Sequence, residues 1–401
     1  MKSEKLRRVI YILIPMIVFF TASSFALRYM EKKGFIDTRR KDDLVAMPPV
    51  DFLKVVESPY GDYYKIDSLN MIQSSFAVQK DERTLRIVVT GGSFAMGTPH
   101  VIQRVMHKGP PPTGGIPDRL CADLQQAFPD REIEVINAAA GSQNSSRVRE
   151  IVEIMLKADP DILIVATGNN EGFVPPTVFN EALHRWTVYR FLKKAVLTET
   201  KIEKRPYFTP QDQATHNIVR QYKENIAAMI DAAKAQGVPL ILATLPVNLK
   251  YLPIGIPGIK DPEKDERFSE GMRLCDAGMH EQAISILAEA ADQPFAPYYM
   301  ARCFEKAGDH PSAKHFYEVG VEQIPCNRMR PSLNDYLRRI CAERKTLLAD
   351  LDEALGALSE NGIPTGEHFV DYCHMTKEGY GLMAETIFDL IIQSELIENV
   401  Q

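Results

Sequence analysis

Five short, mostly apolar runs punctuate the chain, the first of them rich in β-branched residues: Leu85–Thr90, Ile133–Asn137, Ile162–Ala166, Pro239–Leu245 and Thr346–Asp350. They are continuous rather than alternating, the pattern of strands covered on both faces, as in a parallel sheet. Segments of helical period lie between and after them: Ile116–Phe128, Ser145–Lys157, Thr215–Gln236, Pro331–Glu343, Leu351–Ser359 and Lys377–Ile392. Asn144 or Ser145 caps the second of these, and Gly237 ends the third. Strands alternating with helices predict right-handed crossovers, and therefore an α/β domain of three layers, α/β/α, around a five-stranded parallel sheet.

Two stretches break the alternation. Val9–Leu27 carries no charge and is mostly apolar, and its nineteen residues would rise about 28 Å as a helix, close to a hydrocarbon core. Residues 1–27 are read as an N-terminal transmembrane signal anchor. A cleaved signal peptide is the alternative, because Ser24-Phe25-Ala26 is a small-x-small site. Cations stand on both sides of the span, so charge does not orient it. The short basic head resembles a signal n-region, and the rest of the chain is expected on the exported, periplasmic or extracellular side. Residues 28–82 read as a juxtamembrane linker and a lead-in packed on the main domain.

The second break covers residues 262–326. Ala277-Gly-Met-His-Glu-Gln-Ala283 recurs thirty residues on as Ala307-Gly-Asp-His-Pro-Ser-Ala313, each copy with a helix before and after its Ala-Gly turn. The pair resembles tetratricopeptide (TPR) helical hairpins and is expected to lean on the main domain, residues 83–261 and 327–401, and to offer a surface for a protein partner. Ala182–Arg190 is amphipathic and holds the single tryptophan. Its aromatic and basic residues suit a substrate groove or lipid headgroups, and core packing with a snorkelling basic rim is the simpler reading.

Chemistry enters at the strand ends. The first strand stops at Gly91-Gly92 and presents Ser93 at the carboxyl edge, where open α/β sheets hold their ligands. Near the other end of the sequence, Asp371 and His374 stand at a spacing that lets a carboxylate orient an imidazole able to take a serine proton. Val135–Gly141 leads into a small-residue turn, and Ile162–Ala166 runs on into Gly168-Asn169-Asn170-Glu171. A glycine N–H and an asparagine amide beside a serine are what an acyl-transfer oxyanion requires.

In this order the four blocks resemble the SGNH/GDSL hydrolase superfamily. Its first block, Gly-Asp-Ser, is Gly91-Gly92-Ser93 here and lacks the acid. Its second-block glycine matches Gly141, with a gap one residue short, so that Ser142 could hold the place. Its third block, Gly-x-Asn-Asp, matches Gly168 to Glu171, and Asp-x-x-His matches Asp371 and His374 unaltered. The resemblance implies a serine ester hydrolase, or an acyltransferase of the same fold, with Ser93, Asp371 and His374 as triad and Ser93, Gly141 and Asn170 as oxyanion donors. It implies an acyl ester substrate, carried on a glycan or a lipid, and no cofactor or metal. The alternative is an inactive scaffold of this fold whose helical insert binds a partner in a membrane assembly. A Gly-x-Ser-x-Gly elbow is excluded, since position 95 is alanine.

Composition adds exclusions. A net charge of −6 with scattered cations gives no footprint for nucleic acid. The six cysteines form no Cys-x-x-Cys, which leaves zinc and dithiol chemistry without support. Cys275 and Cys303 are read as small core residues, and a Cys326–Cys341 bridge is the pairing considered. Cys373 is set aside as a nucleophile. Thr98–Pro117, with its proline run, is a loop or flap, and His100 and His107 are read as solvated loop histidines.

Overall fold

The computed structural model describes residues 15, 18–31, 33, 35–36, 52–67, 71–101, 114–172, 186–196, 213–253, 261–291, 293–324 and 328–397. Most of the apolar run before Val18, the proline run with His107, Ala182–Arg185, Glu199–Gln211 and Cys326 lie outside these. The chain divides into two units, one of Met1–Met47 with Val174–Lys204, the other of Pro48–Phe173 with Arg205–Gln401.

The larger unit opens with an antiparallel meander, β1 (Leu53–Val56), β2 (Tyr63–Ile66) and β3 (Ser74–Ala77). Five parallel strands follow: β4 (Thr84–Gly91), β5 (Glu132–Asn137), β6 (Ile162–Ala166), β7 (Leu240–Ala243) and β8 (Leu347–Ala349), in the order β5-β4-β6-β7-β8. The sequence places each of these strands within a few residues, because a strand covered on both faces is apolar throughout. All eight residues of β4 are buried, and each Val or Ile so buried contributes about 1.5–3 kcal/mol.

The helices are α1 (Ser93–Met96), α2 (Ile116–Ala127), α3 (Ser145–Met155), α4 (Gln213–Ala235), α5 (Glu266–Asp276), α6 (His280–Glu289), α7 (Ala296–Lys306), α8 (His310–Gln323), α9 (Pro331–Arg344), α10 (Leu351–Leu358) and α11 (Lys377–Gln393). Helices α2, α10 and α11 cover one face of the sheet and α3, α4 and α9 the other, which is the expected three-layer α/β/α arrangement. The direction of strand order reverses at β4, so its carboxyl end and that of β6 flank the switch point where such sheets bind ligands.

Arg86, wholly buried in β4, joins the meander to the sheet. Its guanidinium pairs with Glu134 at 2.5 Å, donates to the carbonyls of Ala158 and Ala77, and lies over the Phe76 ring. Helices α5 to α8 form two successive hairpins whose turns pass through Gly278 and Gly308, both at positive φ. Part of α7 and α8 (Ala301, Ala313, Tyr317 and Val321) belongs to the main core, and α5 to α7 build a small core of their own. Cys275 and Cys303 are not separate thiols: a disulfide joins α5 to α7, with Cα atoms 5.6 Å apart. Helix periodicity places both on buried faces but does not show that those faces meet. Cys341 is a buried free thiol, so the bridge considered for it is not formed.

In the smaller unit, residues 18–31 are helical and a second helix spans Thr187–Val196. Among the described residues, no helix is long and apolar enough to cross a membrane.

Candidate active site

Ser93 is held by the way β4 ends. Gly91 has φ +151°, and a β-carbon there would lie 2.0 Å from the Ala166 carbonyl oxygen, so only glycine lets β4 run this close to β6. Gly92 is the extended N-cap of α1, and Ser93 begins that single turn. No side chain at position 92 stands between Ser93 and β6. A β-carbon there would touch the Asn170 Nδ2 and the Gln143 carbonyl at 3.4 Å each. The acid absent from the first block would therefore have pointed at the candidate oxyanion donor.

The opposite wall comes from Phe369–Met375, a tight loop closed by Val370 N–H donating to the His374 carbonyl. Asp371 caps this loop: its Oδ1 accepts from the amides of Cys373 and His374 at 2.8 and 2.7 Å. Its Oδ2 lies 2.6 Å from His374 Nδ1, and His374 Nε2 lies 2.7 Å from Ser93 Oγ. Burial pushes the Asp371 carboxyl up, but the His374 imidazole and the two amides outweigh it and hold it below the usual carboxylate value. Asp371 is thus ionised where the imidazole needs a negative partner.

Two residues that no motif indicates bring these walls together. Tyr380, wholly buried in α11, donates its hydroxyl to the Thr98 carbonyl at 2.8 Å and packs on Phe94. His100, read as solvated, instead bonds the Met375 carbonyl through Nε2 at 3.0 Å, its ring edge-on to Tyr380. Asn248, after β7, supports the loop from the other side, donating Nδ2 to the Asp371 carbonyl and its N–H to the Tyr372 carbonyl. The available signal for Asn248 is its place: it too follows a strand at the carboxyl edge.

Asn170 is buried beside Gly92, its Nδ2 donating to the Gln143 carbonyl at 3.3 Å. In the turn between β5 and α3 the left-handed backbone falls on Ser142, at φ +59°, and not on Gly141.

Glu171 stands where the resembled family has aspartate. It is half-buried and accepts from the Ser145 N–H at 2.7 Å and the Ser145 Oγ at 2.8 Å, which fastens the Asn170 loop to the start of α3. Burial, only partly offset by these bonds, pushes its carboxyl up to about 7. In the unfolded chain a glutamate ionises near ~4.3, so between there and about 7 the unfolded state sheds a proton that the fold retains. Stability from this group is therefore full below ~4.3 and falls by about 3 kcal/mol as pH rises through 7. Glu171→Gln keeps the shape without the charge. Its urea-unfolding free energy relative to wild type is expected to rise between pH 5 and pH 8, and a difference constant with pH would contradict the assignment.

Asp371, Cys373 and His374 bring a carboxylate, a thiol and an imidazole within 4.8 Å of one another. Both imidazole nitrogens are already committed, Nδ1 to Asp371 and Nε2 to Ser93, and the buried Cys373 Sγ lies 3.8 Å from Nδ1. The nitrogen able to take a proton thus faces the serine and not the thiol.

No protein-family model matches the chain, and no curated protein sequence does. Solved structures similar to it include a GDSL-like lipase from Bacteroides thetaiotaomicron, at 11% identity over 78% of this chain and 89% of that one, TM-score 0.36. A catalytic mutant of Axe2, an acetylxylan esterase from Geobacillus stearothermophilus, has 11% identity over 77% and 94%, TM-score 0.39. A member of the lipolytic protein G-D-S-L family from Veillonella parvula has 9% identity over 77% and 99%, TM-score 0.36.

Proposed function

We propose that the chain is a serine ester hydrolase of SGNH/GDSL type, tethered to a membrane by its N-terminal segment, that removes or transfers a small acyl group on a glycan or lipid. The observation that carries this reading is the unbroken Ser93–His374–Asp371 relay, with 2.7 and 2.6 Å between successive partners.

Ser93 Oγ attacks the acyl carbon while His374 Nε2 takes its proton, and Asp371 stabilises the imidazolium. The carbonyl oxygen becomes an oxyanion, held by the Ser93 N–H at the head of α1, the Asn170 amide and an N–H of the Gly141–Ser142 turn. Collapse breaks the ester C–O bond, and the departing alkoxide takes the proton from His374. Water, or an acceptor alcohol, then attacks the acyl-serine with His374 again as base, and Ser93 regains its proton. Beside His374, the rings of Tyr372 and Tyr251 stand 5.5 Å apart and inclined at 54°, and either ring offers a face on which a sugar can rest. The four-helix insert, resembling a TPR pair, is the surface we assign to a protein partner.

A fluorophosphonate probe tests the reading without knowledge of the substrate. Stoichiometric labelling of wild type, mapped to Ser93 and absent in Ser93→Ala, is the expected result. A folded wild-type chain that stays unlabelled would favour the scaffold reading, with partner binding through α5 to α8. Release of acetate with and without a glycan acceptor separates hydrolysis from transfer.

A further inference from the structure

The smaller unit leaves large apolar side chains uncovered. Along residues 18–31, one face consists of Phe20, Ser24, Leu27 and Glu31, all half-buried. The second helix, Thr187–Val196, sits on the polar members of that face: Val188 N–H donates to Ser24 Oγ at 3.4 Å, and Arg190 pairs with Glu31 at 2.8 Å with both side chains 17% exposed. Val18, Phe25 and Tyr29 on the opposite face, and Phe19 and Met30 on one flank, are left uncovered, with Phe19 65% and Phe25 69% exposed. A helix pair in water puts its apolar stripe inward and its charges outward. Here Ser24 and Glu31 meet the second helix beside the half-buried Phe20 and Leu27, while larger apolar side chains point away, an arrangement that suits hydrocarbon surroundings.

The second helix continues the pattern. Thr187 and Val188 are buried against the unit, while Trp186, Phe191 and Leu192 remain 41–44% exposed. Of the segment Ala182–Arg190, the described residues are Trp186, which is exposed, and Thr187–Arg190, which are buried or half-buried. The ten residues of the second helix include Arg190, Lys193 and Lys194 and no acid, and Lys33 lies over the Tyr29 ring. Aromatic rings next to cations at the end of an apolar stretch suit the headgroup layer of an anionic bilayer.

We propose that these two helices form one membrane-seated module. Val18, Phe19, Phe25, Tyr29 and Met30 lie against lipid, and Trp186, Phe191 and Leu192 dip into the headgroup boundary of an anionic leaflet. The inference deepens the tether of the proposed function, which rests on the N-terminal segment alone, by adding a second lipid-contacting element far along the sequence. An exposed apolar face of this extent would otherwise invite self-association.

Trp186 is the chain's only tryptophan and reports on this element directly. The full chain is reconstituted into phosphatidylcholine vesicles containing phosphatidylglycerol, with bromine on the acyl chains either near the headgroup or near the chain end. The expected result is blue-shifted emission quenched several-fold by the shallow bromines and less by the deep ones. A Phe191→Asp/Leu192→Asp double variant should lose most of that quenching, with fluorophosphonate labelling of Ser93 as the check that the larger unit is folded. Vesicle-bound chain whose Trp186 stays unquenched, whether open to aqueous iodide or shielded in a dimer, overturns the second contact and leaves the tether. A chain that does not float with the vesicles overturns both.

Discussion

Ser93→Ala is expected to lower turnover of a short-chain p-nitrophenyl ester by on the order of 10⁶-fold, and His374→Ala by a similar factor. Ser93 Oγ and His374 Nε2 are 2.7 Å apart, so attack and proton transfer are one event, and either loss removes it whole. The double variant should consequently be no slower than either single one. Additive losses would mean that the two side chains act independently, which that distance does not permit. Residual activity above the uncatalysed rate would come from the oxyanion donors and substrate positioning, which neither substitution touches. Near-wild-type turnover in Ser93→Ala, with the same preparation unreactive to fluorophosphonate, would remove Ser93 as the nucleophile. Thermal unfolding should be little changed, since Ser93 contributes one partly exposed hydroxyl.

The legible parts of this molecule are those whose physics leaves a local mark. A parallel strand covered on both sides must be apolar along its length, and Ile162–Ala166 reads as one at sight. Asp371 and His374 are visible because cap, carboxylate and imidazole lie within one loop and fix their own spacing. The meander was hidden because β1 and β2 mix Lys54, Lys65 and tyrosines with apolar positions, and no strand of it is covered along both faces. Tyr380, His100 and Asn248 act on backbone carbonyls supplied by distant segments, and a carbonyl carries no residue-type signal. Glu171 reads in sequence as a conservative replacement of aspartate. Only the fold shows its carboxylate reaching Ser145 at the head of α3. The Cys275–Cys303 bond depends on which helix faces meet, which a repeat of thirty residues does not disclose.

Asp371→Asn is the sharper test of the relay, because it changes a proton's address and almost no shape. In the wild type Asp371 Oδ2 can only accept, so the hydrogen on this 2.6 Å contact must be on His374 Nδ1, and Nε2 is left with the lone pair that takes the serine proton. Asparagine still accepts from the Cys373 and His374 amides through its single oxygen, which keeps the loop closed. Its NH₂ group then faces Nδ1 and donates to it. The imidazole must shift its proton to Nε2, where it faces Ser93 as a donor and cannot act as a base. A loss in kcat of about 10⁴-fold at neutral pH follows from this wrong tautomer, with KM far less affected because Asp371 does not meet the substrate. Hydroxide can replace the disabled base, so the variant should recover part of its rate as pH rises above the range in which the wild type is already at its plateau. An Asp371→Asn enzyme with more than a tenth of wild-type kcat and an unaltered pH profile would show that the carboxylate merely holds the loop. The fluorophosphonate readout must then fall in step with turnover, since both reactions begin with the same proton leaving Ser93.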